Sequence, residues 1–201
     1  AMDSRAWTRV APVAEEDKEA TPPTTTGPPE NSDVMLEGDL VMIYLGMDKV
    51  SYAFLDRCGS FENKYGIFRH SQFIGQPFGS KISAARGWVL ALAPTPELWA
   101  RALPHRTQIV QSLDSANVAF ELGLTDGSVV LEAGTGSGAA TVAFARACAP
   151  SGRVYSVEFN ASRVEKARTD FCAMGLLDSL VDVRHGDVCA PEEDLLPGVS
   201  F

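Results

Sequence analysis

Between residues 34 and 93, apolar residues come in short runs broken by Asp, Gly and Ser. The runs DLVMIYLG (39–46), VSYAFLD (50–56), YGIFRHSQFIG (65–75) and GWVLALA (87–93) are rich in β-branched and aromatic residues. Their length and spacing predict the strands of a small β-barrel or sandwich, with no helical periodicity. The stretch PTPELWARALPHRTQIV (94–110) then opens a different unit. Thr95-Pro96-Glu97 has the form of a helix start, with proline at the first helical position and an acid in the first turn. Leu98, Trp99 and Leu103 supply an apolar face, Pro104 ends or kinks this helix, and a second helix is expected over 106–122.

Beyond that point the period alternates. Strands are expected at GSVVLEAG (127–134), RVYSVEF (153–159) and SLVDVRHGDV (179–188). Helices are expected at SGAATVAFARACA (137–149) and ASRVEKARTDFCAMG (161–175). Strands alternating with helices of this length mean right-handed βαβ units on a parallel sheet. The chain therefore reads as an α/β protein in three parts: a tail over 1–33, a small β domain over 34–93, and a second domain over 94–201.

Composition changes this picture mainly at the ends. Residues 1–33 hold few large apolar groups and much Pro, Thr and Glu, so they are expected to stay disordered and solvated. No run reaches the roughly 20 apolar residues of a membrane span. The net charge of −9 argues against simple non-specific nucleic-acid binding. Only the middle segment is slightly basic, with five acids and six bases over 34–93. Any grip on a polyanion must come from local clusters or from a partner. The cysteines Cys58, Cys148, Cys172 and Cys189 lack zinc-ligand spacing and are expected to be buried reduced thiols, and no metal is assigned.

The chemistry concentrates at VVLEAGTGSG (129–138). A parallel strand feeding a glycine-rich turn into a helix start makes a cofactor cradle, because glycines admit ligand atoms to the main chain and unpaired N–H groups face them. Gly134-x-Gly136-x-x-Ala139 satisfies a relaxed dinucleotide fingerprint, and Glu158, twenty residues past Gly138, suits a ribose hydroxyl of NAD or of S-adenosylmethionine. Glu132 favours the second cofactor. A carboxylate directly before the glycines suits an ammonium group or holds the loop, and sits badly beside a pyrophosphate. Asp187, ending the third strand, could accept from an adenine amino group.

The stretches FENKYGIFRH, GQPFGSK, PTPELWARALPHRTQIV, LEAGTGSG and HGDVC together resemble the catalytic subunits of tRNA (adenine-58-N1) methyltransferases, over about residues 38–189. The eukaryotic form is the more similar. The resemblance implies a small N-terminal β-barrel-like domain and a Rossmann-like class I methyltransferase domain. It implies methylation of adenine N1 in the T-loop of tRNA with S-adenosylmethionine. It also implies a nuclear location, with a cytoplasmic one left open, and a heterotetramer of two catalytic and two non-catalytic homologous chains.

By the same resemblance Gly134, Gly136, Ser137 and Gly138 form the cofactor turn, and Glu158 is the ribose ligand. Arg163 is a further contact, Asp187 and Val188 the adenine site, and Gln108 and Val110 line the methionyl end. The tRNA contacts fall on Phe61, Asn63, Lys64, Tyr65, Arg69 and His70. His105 and Arg106 could reach RNA, with His105 better read as a cap than as a general base. The family's catalytic aspartate, in an aspartate-hydrophobe-proline motif on the fourth strand, has no match before Phe201. The chain is thus expected to be part of a longer protein, to hold half a cofactor site, and to be inactive alone. Its first parallel strand would be left as an apolar edge. A nicotinamide-dependent oxidoreductase and a non-catalytic RNA-binding subunit remain as alternatives.

Overall fold

The structure, a computed structural model, describes residues 34–46, 49–104 and 106–190. The tail expected over 1–33 and His105 lie outside the described residues.

Strands β1 (Leu40–Gly46) and β2 (Lys49–Phe54) form an antiparallel hairpin. Strands β3 (Ser60–Asn63) and β4 (Gly66–Arg69) form a second, and β5 (Lys81–Ala84) and β6 (Gly87–Leu92) a third. The first and third join into one four-stranded sheet in the order β2-β1-β6-β5, while β3-β4 stays separate. β3 and β5 were not among the expected strands. The expected strand over 65–75 shortens to β4, followed by a 3-10 turn at His70–Gln72.

β1 has its first four residues buried because both of its faces are covered. Val41 and Ile43 pack with Met35, Leu55, Phe68 and Phe73 inside the β region. Leu40 and Met42, on the other face, join a core that runs through Trp99 and Leu103 to Val130, Val142, Val154, Phe171 and Val183.

Trp99, fully buried, is the hinge of that second core; its ring meets Tyr52 edge-on at 5.0 Å. It is presented by helix α1 (Pro96–Ala102), which starts where the Thr95-Pro96 pattern places it. The Thr95 hydroxyl accepts the Leu98 N–H at 3.2 Å, replacing one of the bonds a helix start lacks.

The second expected helix starts late. α2 spans Ser112–Glu121, and residues 106–111 run outside any helix. The Arg106 and Thr107 N–H groups donate instead to Ser137 Oγ, at 3.1 and 3.2 Å.

Strands β7 (Val129–Ala133), β8 (Arg153–Glu158) and β9 (Val181–His185) then alternate with α3 (Ala139–Cys148) and α4 (Ala161–Ala173). They form a parallel sheet in the order β7-β8-β9. Among the described residues β7 has no neighbour on its far side, and Val129 and Leu131 are exposed there. Cys148 is buried as expected, but Cys58, Cys172 and Cys189 are exposed. They sit after turns or on the outer face of α4, where no core covers them. No helix among the described residues is long and apolar enough to cross a membrane.

Candidate functional site

Parallel pairing brings the carboxyl ends of β7 and β8 together, with Glu132 opposite Ser156, and Glu158 ending β8 opposite His185. The chain leaving β7 turns through Gly134, Gly136 and Gly138, all at positive φ, before entering α3. Gly136 and Gly138 are tied to their neighbours. A Cβ on Gly136 would lie 2.8 Å from Thr107 Oγ1, and one on Gly138 would lie 2.7 Å from the Phe171 ring. Only glycine satisfies both the dihedral and the approach.

Glu158 is 4% exposed and draws this loop down onto β8. Its carboxylate accepts the Gly136 N–H at 3.0 Å and the Asn160 N–H at 2.9 Å, with Arg163 Nη1 at 3.4 Å. Asn160 caps α4 by accepting the Arg163 N–H at 3.1 Å, which sets where that arginine starts.

Glu132 closes the other wall. Ser156 Oγ–H and Thr141 Oγ1–H both donate to its Oε2, the latter at 2.6 Å. With its one proton spent on Glu132, Ser156 accepts from Thr135 at 2.6 Å. The result is a hydroxyl chain Thr135–Ser156–Glu132 beneath the glycine turn. Burial pushes the Glu132 carboxyl up to about 7, the two hydroxyl donors hold it back, and the Glu158 charge adds to the rise.

These groups line a cleft of about 290 Å³. Glu132, Gly134, Gly136, Ser137, Gly138, Glu158 and Arg163 all border it, and so do Gln108 and Val110 from the segment before α2. Because 106–111 is not helical, these last two reach the cleft as an extended edge. Asp187 and Val188 do not line it. They sit in the turn after β9, where Asp187 accepts the Cys189 N–H at 2.9 Å and Val188 is exposed. Thr107, Thr135, Thr141, Ser156 and Asn160 were not anticipated. The signal for Thr141 and Ser156 was a hydroxyl inside an otherwise apolar run, and that for Asn160 an Asn two residues after a strand-ending acid.

The residues expected to meet RNA are scattered by the fold. Lys64 and Arg69 are exposed, and Tyr65 is half-buried. His70 is not available: it is 8% exposed, its Nδ1 accepts the Asp56 N–H at 3.2 Å, and it packs against Gly59. Phe61 packs on the β core, and Asn63 shapes the hairpin by accepting the Tyr65 N–H at 2.8 Å. Arg106 points inward, its Nη2 2.6 Å from Asp170 Oδ2 with both side chains mostly buried. That pair ties the 106–111 segment to α4, and it removes Arg106 from the surface.

The sequence model of the tRNA methyltransferase complex GCD14 subunit family matches residues 87–195, more than half of the chain. The chain belongs to this family. The tRNA (adenine(58)-N(1))-methyltransferase catalytic subunit of Dictyostelium discoideum is 40% identical over 161 residues, covering 79% of this chain and 51% of that protein. The Schizosaccharomyces pombe catalytic subunit of the same name is 39% identical over 157 residues, 76% of this chain and 43% of its own. The chain thus spans about half the length of the curated relatives it matches.

Among solved structures, an Aquifex aeolicus tRNA (m1A58) methyltransferase superposes with a TM-score of 0.61 at 27% identity, covering 78% of this chain and 60% of its own. A Thermotoga maritima SAM-dependent O-methyltransferase gives 0.67 at 25%, covering 78% and 59%. The GCD14-family chain has a Rossmann-like class I methyltransferase fold in its parallel half.

Proposed function

We propose that this chain is the S-adenosylmethionine-binding part of a tRNA N1-adenine methyltransferase catalytic subunit, acting at adenine 58 of the T-loop. The observation that carries the reading is the pair of carboxylates, Glu132 and Glu158, on either side of a glycine turn in which Gly136 and Gly138 leave no room for a Cβ. A dinucleotide pyrophosphate would meet two acids there, whereas an ammonium and a ribose diol each meet one. Together with the family, that weighs against a nicotinamide cofactor.

The residues present fit the cofactor. Glu158 keeps acceptor capacity for ribose hydroxyls while Gly136 and Asn160 hold it in place. Glu132 faces the cleft as the partner of an ammonium, and Gly134 to Gly138 let ligand atoms approach the main chain. Gln108 and Val110 border the same cleft. Asp187 and Val188 belong to this reading as the adenine edge, since the Gly186 N–H is anchored on the Glu158 carbonyl at 3.2 Å. When bound, the cofactor supplies an electrophilic methyl on sulfur. The chain's own work is to position that methyl, exclude water and hold charge.

The reading extends to a barrel-like N-terminal β domain over 34–93, supported by the close approach of the β3-β4 hairpin to β5. It includes a cofactor domain over 94–201. Pairing with a non-catalytic homologous chain is supported by the −9 charge, which leaves much of the RNA grip to a partner. A nuclear location belongs to the same reading, with a cytoplasmic one left open. The test is methyl transfer by the complete protein with its partner on T-loop RNA, with the methylated atom identified. Methyl on N1 of adenine supports the proposal; no transfer, or transfer to another atom, refutes it.

Glu132 makes cofactor binding pH-dependent. Because its folded value of about 7 lies above its ordinary 4.5, its contribution to stability is fully present below 4.5 and lost as pH rises through about 7. Ammonium recognition runs the other way, since it needs the carboxylate. S-adenosylmethionine affinity is expected to rise several-fold between pH 6 and about 8. Glu132→Gln should flatten that profile and lower affinity by about tenfold at pH 8 while leaving the fold at least as stable. Titration calorimetry across pH reads both effects.

A further inference from the structure

We infer that Thr141 and Ser156 are positioning residues for the amino-acid end of the cofactor: their hydroxyls grip one oxygen of the Glu132 carboxylate and leave the other for the ligand ammonium. The inference rests on the cofactor reading above. It adds to that reading two side chains that do not themselves border the cleft.

The two acids of the cleft are held in different ways. Glu158 takes donors on both oxygens, the Gly136 N–H on Oε2 and the Asn160 N–H with Arg163 Nη1 on Oε1. Glu132 takes both of its donors, Thr141 Oγ1–H and Ser156 Oγ–H, on Oε2. Among the described residues nothing donates to its Oε1, and that atom is not sealed from solvent. Thr141 and Ser156 are fully buried, whereas Glu132 is half-buried and lines the cleft. The carboxylate therefore has a covered end tied to the protein and an open end left for a ligand.

The grip is built from the core outward. Ser156 lies opposite Glu132 in the β7-β8 register, and Thr141 comes from the first turn of α3. Around them the core is apolar, with Val130, Val142 and Val154. A valine and an alanine would fill these two places without needing partners. What the hydroxyls supply instead is two donors, which favour the ionised form of a carboxyl that burial drives toward the neutral one. The Glu158 charge on β8 pushes in the same direction as burial. None of the nearby cations is placed to oppose it. Arg163 on α4 pairs with Glu158, Arg106 pairs with Asp170, and Arg146 sits in the last turn of α3. Keeping Glu132 charged, and aimed, falls to the two hydroxyls.

The test uses the 201-residue chain. Thr141→Val removes one donor and keeps the shape, Thr141→Ser restores the donor, and Ser156→Ala removes the other. Glu132 is titrated without ligand through the carbon shift of its labelled carboxyl. S-adenosylhomocysteine, which carries the same amino-acid end, is titrated by calorimetry across pH. Losing a hydrogen bond to a charged group should raise the Glu132 midpoint by about one pH unit or more in Thr141→Val and in Ser156→Ala. The rise of affinity with pH should move up by the same amount, so that binding near pH 7 weakens about fivefold or more and recovers at higher pH. Thr141→Ser should leave both where the parent has them. 5′-Methylthioadenosine, which lacks the amino-acid end, should bind without this pH step in every variant. Melting curves confirm that each variant folds.

Affinity lowered equally at every pH, with the Glu132 midpoint unmoved, would mean that the hydroxyls only pack, and overturns the inference. A midpoint that moves without S-adenosylhomocysteine binding following it overturns the inference too. Binding by the parent with an unchanged profile in the variants defeats this inference alone. No binding of S-adenosylhomocysteine by the parent at any pH defeats the cofactor reading with it.

Discussion

Replacing Glu158 by alanine is expected to reduce S-adenosylmethionine affinity more than about 100-fold. A charge-assisted hydrogen bond is worth about 1.5–3 kcal/mol, and a ribose diol would make two of them. The loss has a second part that no ligand is needed to see. With the carboxylate gone, the Gly136 and Asn160 N–H groups lose their acceptor at a site only 4% exposed, and Arg163 loses its counter-charge. The loop would then no longer be drawn onto β8, so the empty protein should melt lower. Glu158→Gln keeps one acceptor oxygen and should fall between the two. Calorimetric titration reads the first effect and thermal unfolding the second. Binding within threefold of the parent chain would show that the cleft does not use this acid for a ligand.

Gly138→Ala should be strongly destabilising. Its φ of +84° costs an L-residue about 1–2 kcal/mol, and the added Cβ lands 2.7 Å from the Phe171 ring, where overpacking costs about 1–3 kcal/mol more. Phe171 is buried in the core and cannot swing away. The two costs can be separated. Gly134→Ala has a similar φ of +91° but open space around its Cβ, so it should show only the dihedral part. Gly138→Ala combined with Phe171→Leu should recover much of the steric part. Urea unfolding of these three variants and the parent chain measures each term. Equal stability of Gly134→Ala and Gly138→Ala would show that Phe171 does not constrain the turn.

Much of the parallel half was legible because each of its signals is local. Three apolar runs, two amphipathic helices and a glycine turn between them lead to only one arrangement when crossovers are right-handed. The strand-ending acids Glu132 and Glu158 could be placed on the same grounds, and the structure brings both to one cleft. β3 and β5 were not legible. SFEN carries one apolar position and KISA two, too few to announce a strand, and they become strands by pairing with β4 and β6. The 106–111 segment misled for the opposite reason. Its local pattern permits a helix, but Ser137, thirty residues on, takes the N–H groups of Arg106 and Thr107.

The same division runs through the side chains. Lys64 and Arg69 lie where hairpin periodicity puts them, but whether His70 and Arg106 face water depends on Asp56, Gly59 and Asp170, which are distant in sequence. By itself the sequence determined the order of elements, the glycine cradle and the acids that flank it. Those follow from backbone dihedrals and from the period of apolar residues. Only the tertiary structure decided which hydroxyls tune Glu132, which cations remain at the surface, and that β1 is buried on both faces. Burial and charge pairing are set by what packs across the gap, and no residue's neighbours in sequence report that.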